Sequence, residues 1–179
     1  MLHAAVICKA NLFRSPAARV YLADAFGEAG IEAVVTSAGV LPGGNVVAPE
    51  YLQMALEAGI DLSDHVSAQV TPASLEAQDL VLTMTRELLR EVVVLAPPIW
   101  PRAFTMREFL RRASMVGPRK PTQALEVWLE TVQRGRTRGD LLGDLEADDV
   151  ADPVGGTAED YRLMLRQVQR LSTDIAALF

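Results

Sequence analysis

The sequence predicts an α/β fold, a single domain built on a parallel sheet with helices on both faces. Short apolar runs alternate with stretches of helical periodicity from residue 2 onward, and such alternation favours parallel strands joined by helical crossovers. The 179 residues fit one core. Half of them are hydrophobic and 22% are charged, the usage of an ordinary globular chain and not of a disordered, collagenous or coiled-coil one.

Taken in order, LHAAVIC (2–8) is an apolar run with β-branched residues and reads as a strand. The next stretch places Ala18, Leu22 and Phe26 at four-residue spacing, a helix with Ser15 as N-cap, Pro16 at its first position and Gly30 as its stop. IEAVVTSAG (31–39) is a second strand. PEYLQMALEAG (49–59) is a helix with Leu52, Ala55 and Leu56 inward and Gly59 at its end. DLVLTMT (79–85) is a buried-strand pattern followed by the helical RELLREVVVLA, and PRAFTMREFLRRA is a short strand turning into a helix. A short helix around Ala124–Gln133 lies in a stretch, 113–147, expected to be a helical insertion on the same domain. The last helix begins near Thr157, where Thr157 and Asp160 form a capping-box pattern, and Tyr161, Leu165, Val168 and Leu171 supply its inner face.

Charge and composition exclude several functions. No apolar run approaches the ~20 residues that span a bilayer, and Met1 leads straight into LHAAVIC without a signal-like segment. A cytoplasmic chain is expected. A single cysteine, Cys8, rules out an intrachain disulfide, and with only His3 and His65 there is no pattern for a metal site or a metal cofactor. The net charge of −6 argues against a nucleic-acid partner. That average hides a basic stretch: residues 102–138 hold nine basic and three acidic side chains. It reads first as solvated helix surface and second as a docking face for an acidic or phosphorylated partner.

The chemistry is concentrated in VICKANLFRSP (6–16). A strand delivers Cys8, the loop Lys9, Ala10, Asn11, Leu12 and Phe13 follows, and Arg14 and Ser15 open a helix. Such a loop aims successive main-chain N–H groups at one point, to which the helix dipole adds positive charge, so an oxyanion fits it. The same field stabilises a thiolate. Arg14 offers a planar fork for two phosphate oxygens, a geometry lysine cannot copy.

At these residues the sequence resembles the low-molecular-weight protein tyrosine phosphatases, whose loop it matches at Cys8, Asn11, Arg14, Ser15 and Pro16. The resemblance continues at Ser37-Ala38-Gly39, from Gly59 to His65, at Leu82-Thr83-Met84 and at Asp152-Pro153, covering most of the chain except roughly 113–147. It implies a flavodoxin-like four-stranded parallel sheet and a hydrolase of phosphate monoesters. By this resemblance Cys8 attacks phosphorus to give a phosphocysteine. Asp152 then protonates the leaving phenolate and later deprotonates the hydrolytic water. Asn11, Ser15, Ser37 and His65 are implied to hold the loop in shape, and Ser15 to donate to the Cys8 thiolate. Asp149 is the competing carboxylate. Three positions depart from the family: Ala10 stands for a frequent glycine and Phe13 for a second cysteine. Val40–Gly43 and Val154–Gly156 replace the aromatic residues of the phosphotyrosine cleft.

The expected function is therefore hydrolysis of aryl phosphates, phosphotyrosine in proteins included, without a cofactor and with inorganic phosphate or a similar oxyanion in the loop. Two other readings use the same loop. An arsenate reductase coupled to an external small thiol needs only one cysteine, but has less use for Asp152. A non-catalytic phosphate sensor would need none of the trio Cys8, Arg14 and Asp152.

Overall fold

The fold is a four-stranded, all-parallel sheet in the order β2-β1-β3-β4, seen in a computed structural model that describes residues 1–142 and 146–179. The strands are β1 (Leu2–Cys8), β2 (Ala33–Gly39), β3 (Leu80–Thr83) and β4 (Ala103–Thr105). The helices are α1 (Arg14–Glu28), α2 (Pro49–Glu57), α3 (Pro72–Glu76), α4 (Arg86–Leu95), α5 (Met106–Val116), α6 (Leu125–Val132) and α7 (Ala158–Ala176).

Period-two alternation divides the central strands between two cores. Ala4, Val6, Leu80 and Leu82 join a cluster with Leu22 and Phe26 of α1, Phe109 of α5 and Val168 of α7. Ala5, Ile7 and Val81 face the other way, onto Leu75 of α3 and Leu89 and Val92 of α4. Helices therefore cover both faces. The chain leaves β1 for β2 on one side and then crosses to β3 on the other, so the strand order reverses at the carboxyl end of β1. In open α/β sheets that switch point is where ligands bind, and Cys8 is the last residue of β1.

Three local expectations are corrected. Ser15 is not the N-cap: α1 starts at Arg14 with Phe13 as the flanking residue and no side-chain cap bond. The Ser15 hydroxyl is instead engaged by Cys8 and Ala38. Leu56 is 58% exposed, because α2 packs through Ala55 and the partly buried Leu52 and Met54. The short α3, with a Thr71–Ser74 capping box, was not anticipated. Within 113–147, α6 adds Trp128, Leu129 and Val132 to the larger core. Among the described residues, no helix is long and apolar enough to cross a membrane.

Candidate active site

Cys8, 3% exposed, lies at the bottom of the loop that joins β1 to α1. Its Sγ receives two hydrogen bonds, from the Asn11 main-chain N–H at 3.2 Å and from the Ser15 hydroxyl at 3.1 Å. Both groups present a hydrogen-bond donor to the sulfur. Among the described residues, the N–H groups of Ala10, Leu12 and Phe13 donate to no protein acceptor, so they are open to an oxyanion. Of the loop side chains, Lys9 is exposed, Ala10 and Leu12 are half-buried, and Phe13 is buried.

Asn11 sets the loop's shape. It is fully buried and holds φ at 54°, the left-handed region, which Asn enters more readily than other side-chain-bearing residues. All its polar groups are used. Nδ2 donates to Ser15 Oγ and Ser37 Oγ, each at 3.0 Å, and Oδ1 accepts from the Ala68 N–H at 2.8 Å. Its carbonyl oxygen lies 2.7 Å from His65 Nε2. The structure thus brings Asn11, Ser15, Ser37 and His65 into one network beneath the loop.

Close backbone approach completes the seat. A Cβ on Gly39, the last residue of β2, would fall 2.7 Å from the Lys9 carbonyl oxygen and 2.8 Å from the Asn11 nitrogen. Val40 and Leu41 then donate to the carbonyls of Cys8 and Lys9.

Arg14 is 6% exposed and reaches the segment after residue 148, donating to the Val150 carbonyl at 3.3 Å and to the Asp152 carboxylate. Asp152 keeps 40% of its side chain exposed, so it borders solvent while touching the loop arginine. Asp149 lies elsewhere, accepting from the Arg86 N–H at 2.8 Å at the start of α4; burial pushes its carboxyl above the ordinary value. A Val150 N–H bond to the Met84 carbonyl, at 2.7 Å, ties the segment between them to the end of β3.

An aromatic cluster beside the loop was not read from the sequence. Phe13, Tyr51 of α2 and Tyr161 of α7 have ring centroids within 4.9–5.7 Å of one another, and the two tyrosine hydroxyls meet at 3.1 Å. Desolvation first, then the bond to Tyr51, pushes the Tyr161 phenol up, with Asp152 adding to the shift. Tyr161 was expected only as inner face of α7, and Tyr51 carried no motif. At 40–43 and 154–156 the sequence is not aromatic; this cluster comes from other elements and packs largely inside the core, with Phe13 and Tyr161 buried.

The chain is similar to known proteins. A family model described as low molecular weight phosphotyrosine protein phosphatase matches residues 3–121. A probable low molecular weight protein-tyrosine-phosphatase, EpsP of Ralstonia solanacearum, is 30% identical over 131 residues, which span 73% of this chain and 88% of that protein. Among solved structures, Wzb of Vibrio vulnificus in complex with benzylphosphonate superposes with a TM-score of 0.70 at 17% identity, covering 98% of this chain and 97% of that one. The YwlE arginine phosphatase of Geobacillus stearothermophilus has a TM-score of 0.70 at 23% identity, covering 98% and 91%. A phosphatase enzyme is the class that the fold and these likenesses define. The chain belongs to the low molecular weight phosphotyrosine protein phosphatase family.

Proposed function

We propose that this enzyme hydrolyses aryl phosphate monoesters, phosphotyrosine in proteins foremost, through a phosphocysteine on Cys8. The observation that carries the reading is the convergence on one loop of Cys8 Sγ, its Asn11 and Ser15 donors, and an Arg14 whose guanidinium also contacts Asp152.

The Asp152 carboxylate contacts the Arg14 fork. An arriving phosphate dianion takes over that fork and the open N–H groups of the loop, and Asp152, released beside that negative charge, takes up a proton from solvent and turns toward the leaving oxygen. Cys8 Sγ attacks phosphorus as the P–O bond to the phenol breaks, and protonated Asp152 gives its proton to the departing oxygen. Water then attacks the phosphocysteine, Asp152 takes a proton from it, and Cys8 leaves as a thiolate. The Ser15 hydroxyl at 3.1 Å stabilises that leaving sulfur. Arg14 and the loop N–H groups follow the charge on the equatorial oxygens in both steps. Benzylphosphonate in Vibrio vulnificus Wzb supports a phosphoryl group on a benzyl-type body as the form of ligand this fold accepts. With Cys8 free and chemically required to stay reduced, the cytoplasm is the compartment that suits it.

The test compares release of phosphate from a phosphotyrosine peptide, from phosphoarginine, and reduction of arsenate coupled to a small thiol. Turnover of the phosphotyrosine peptide far above the other two is expected. Preference for phosphoarginine or arsenate would overturn the substrate assignment.

A further inference from the structure

A second cationic site lies away from the catalytic loop, in the groove between α5 and α7. Arg107 and Arg111 on α5 and Arg166 and Arg170 on α7 line one cavity of about 690 Å³. Each pair is spaced i,i+4, so like charges sit side by side on each helix, an arrangement unfavourable by itself. The chain tolerates this although its net charge is −6.

Among the described residues, the counter-charge does not balance the four guanidinium groups. Asp148 faces Arg111 at 3.0 Å but is shared with the buried Arg86, and Arg166 is held by Glu159 at 2.6 Å. Among the described residues, Arg107 donates to a neutral oxygen, the Ala147 carbonyl at 3.3 Å, with the Gln167 amide beside it. Arg170 makes no hydrogen bond or ion pair among the described residues; Asp174, the other carboxylate in the lining, forms no salt bridge with it. The floor is apolar, with Leu171 and the half-buried Leu110, and the exposed Leu163 borders it. A basic rim over an apolar floor, at a volume within the usual ~300–1,000 Å³ of small-molecule sites, fits an anion that carries an apolar body.

We propose that this groove binds a small phosphorylated molecule with an apolar body, its phosphoryl groups held by Arg107 and Arg170 and its body laid over the three leucines. Guanidinium forks match phosphoryl oxygens in pairs, and Arg170 is free to turn inward without breaking an existing bond. The site is independent of the catalytic reading, because it shares no residue with the phosphate loop.

The probe is ADP, titrated by calorimetry into the full chain carrying Arg14→Ala, which removes the principal cation of the catalytic loop. Saturable binding at one site is expected, weakened at least tenfold by Arg107→Gln with Arg170→Gln and further by Arg170→Glu. In the otherwise unaltered chain those groove changes should leave p-nitrophenyl phosphate hydrolysis and the thermal midpoint unchanged. Absence of ADP binding, or binding indifferent to the groove substitutions, would overturn the proposal. So would tighter binding of a polyglutamate peptide than of ADP, which would make the groove a protein-docking face.

Discussion

Asn11 does at one position what several residues would otherwise share. Its backbone turns the loop through a left-handed angle, its N–H reaches Cys8 Sγ, and its side chain bonds Ser15, Ser37 and the Ala68 main chain. Asn11, Ser15 and Ser37 were legible through the resemblance of the loop and its supports to a known family, whereas the Ala68 main-chain contact carried no signal. The Arg14–Asp152 contact was only half legible: each residue stood out, but 138 positions separate them and only folding brings them together. A different separation of roles distinguishes Asp152 from Asp149, one facing the loop arginine and the other capping α4. Asp152→Asn should therefore slow turnover by about 10²–10⁴-fold for substrates with poor leaving groups, and far less for those whose phenol leaves without a proton. The check is a series of aryl phosphates of graded leaving-group acidity. A uniform loss across the series would reject Asp152 as the general acid.

At the scale of elements, β2 shapes the catalytic loop as much as β1 does. Gly39 permits the approach of β2 to Lys9 and Asn11, so Gly39→Ala must push main chain against main chain. We expect kcat to fall at least about tenfold with a smaller proportional change in KM, since a displacement of about 1 Å in a catalytic group costs up to ~10²-fold. Steady-state kinetics on p-nitrophenyl phosphate measures this, and an unchanged kcat would show that the loop yields without consequence. The start of α7 gives a pH test. Main-chain and side-chain bonds from Thr157 hold the Asp160 carboxyl below its ordinary value of 3.8. A depressed acid contributes stability above its unfolded value and loses it as pH falls through the folded one. The stability gap between the native chain and Asp160→Asn should thus be fully present near neutrality and close progressively below about pH 4. Urea midpoints at pH 7 and pH 3 measure it; a gap that does not narrow on acidification would exclude a charge-dependent cap. Capping signals at 157–160 were legible because Thr and Asp have one strong use at that spacing. Ser15 carried the same kind of signal and was misread, since the catalytic loop claims its hydroxyl before the helix can.

Across the whole molecule, the two-sided sheet was legible from alternation, whereas the packing of α6 into the larger core was not. Composition in the stretch 113–147 is polar, balanced in charge and rich in turn residues, yet α6 sends Trp128 into the larger core, edge-on to Phe109 and Phe179, with its indole N–H bonded to the Gly117 carbonyl at 3.1 Å. Tertiary packing of this kind leaves little trace in local sequence, and the same holds for the Phe13–Tyr51–Tyr161 cluster assembled from three helical regions. We take 113–147 as part of a single folding unit. Trp128→Ala should destabilise the entire chain by about 3–5 kcal/mol in one cooperative transition, as burial in a shared core requires. Denaturation followed by both far-ultraviolet circular dichroism and activity provides the check; early loss of only a helical subdomain would mean that α6 folds separately. The central claim, that Cys8 carries the phosphoryl group, is tested most directly by acid-quenching the enzyme during turnover of a ³²P-labelled phosphotyrosine peptide and mapping the label. Expected is ³²P on the Cys8 peptide, higher in Asp152→Asn than its slowed turnover alone would leave and absent from Cys8→Ala. Turnover that persists in Cys8→Ala, or label on any other residue of the native chain, would contradict that claim.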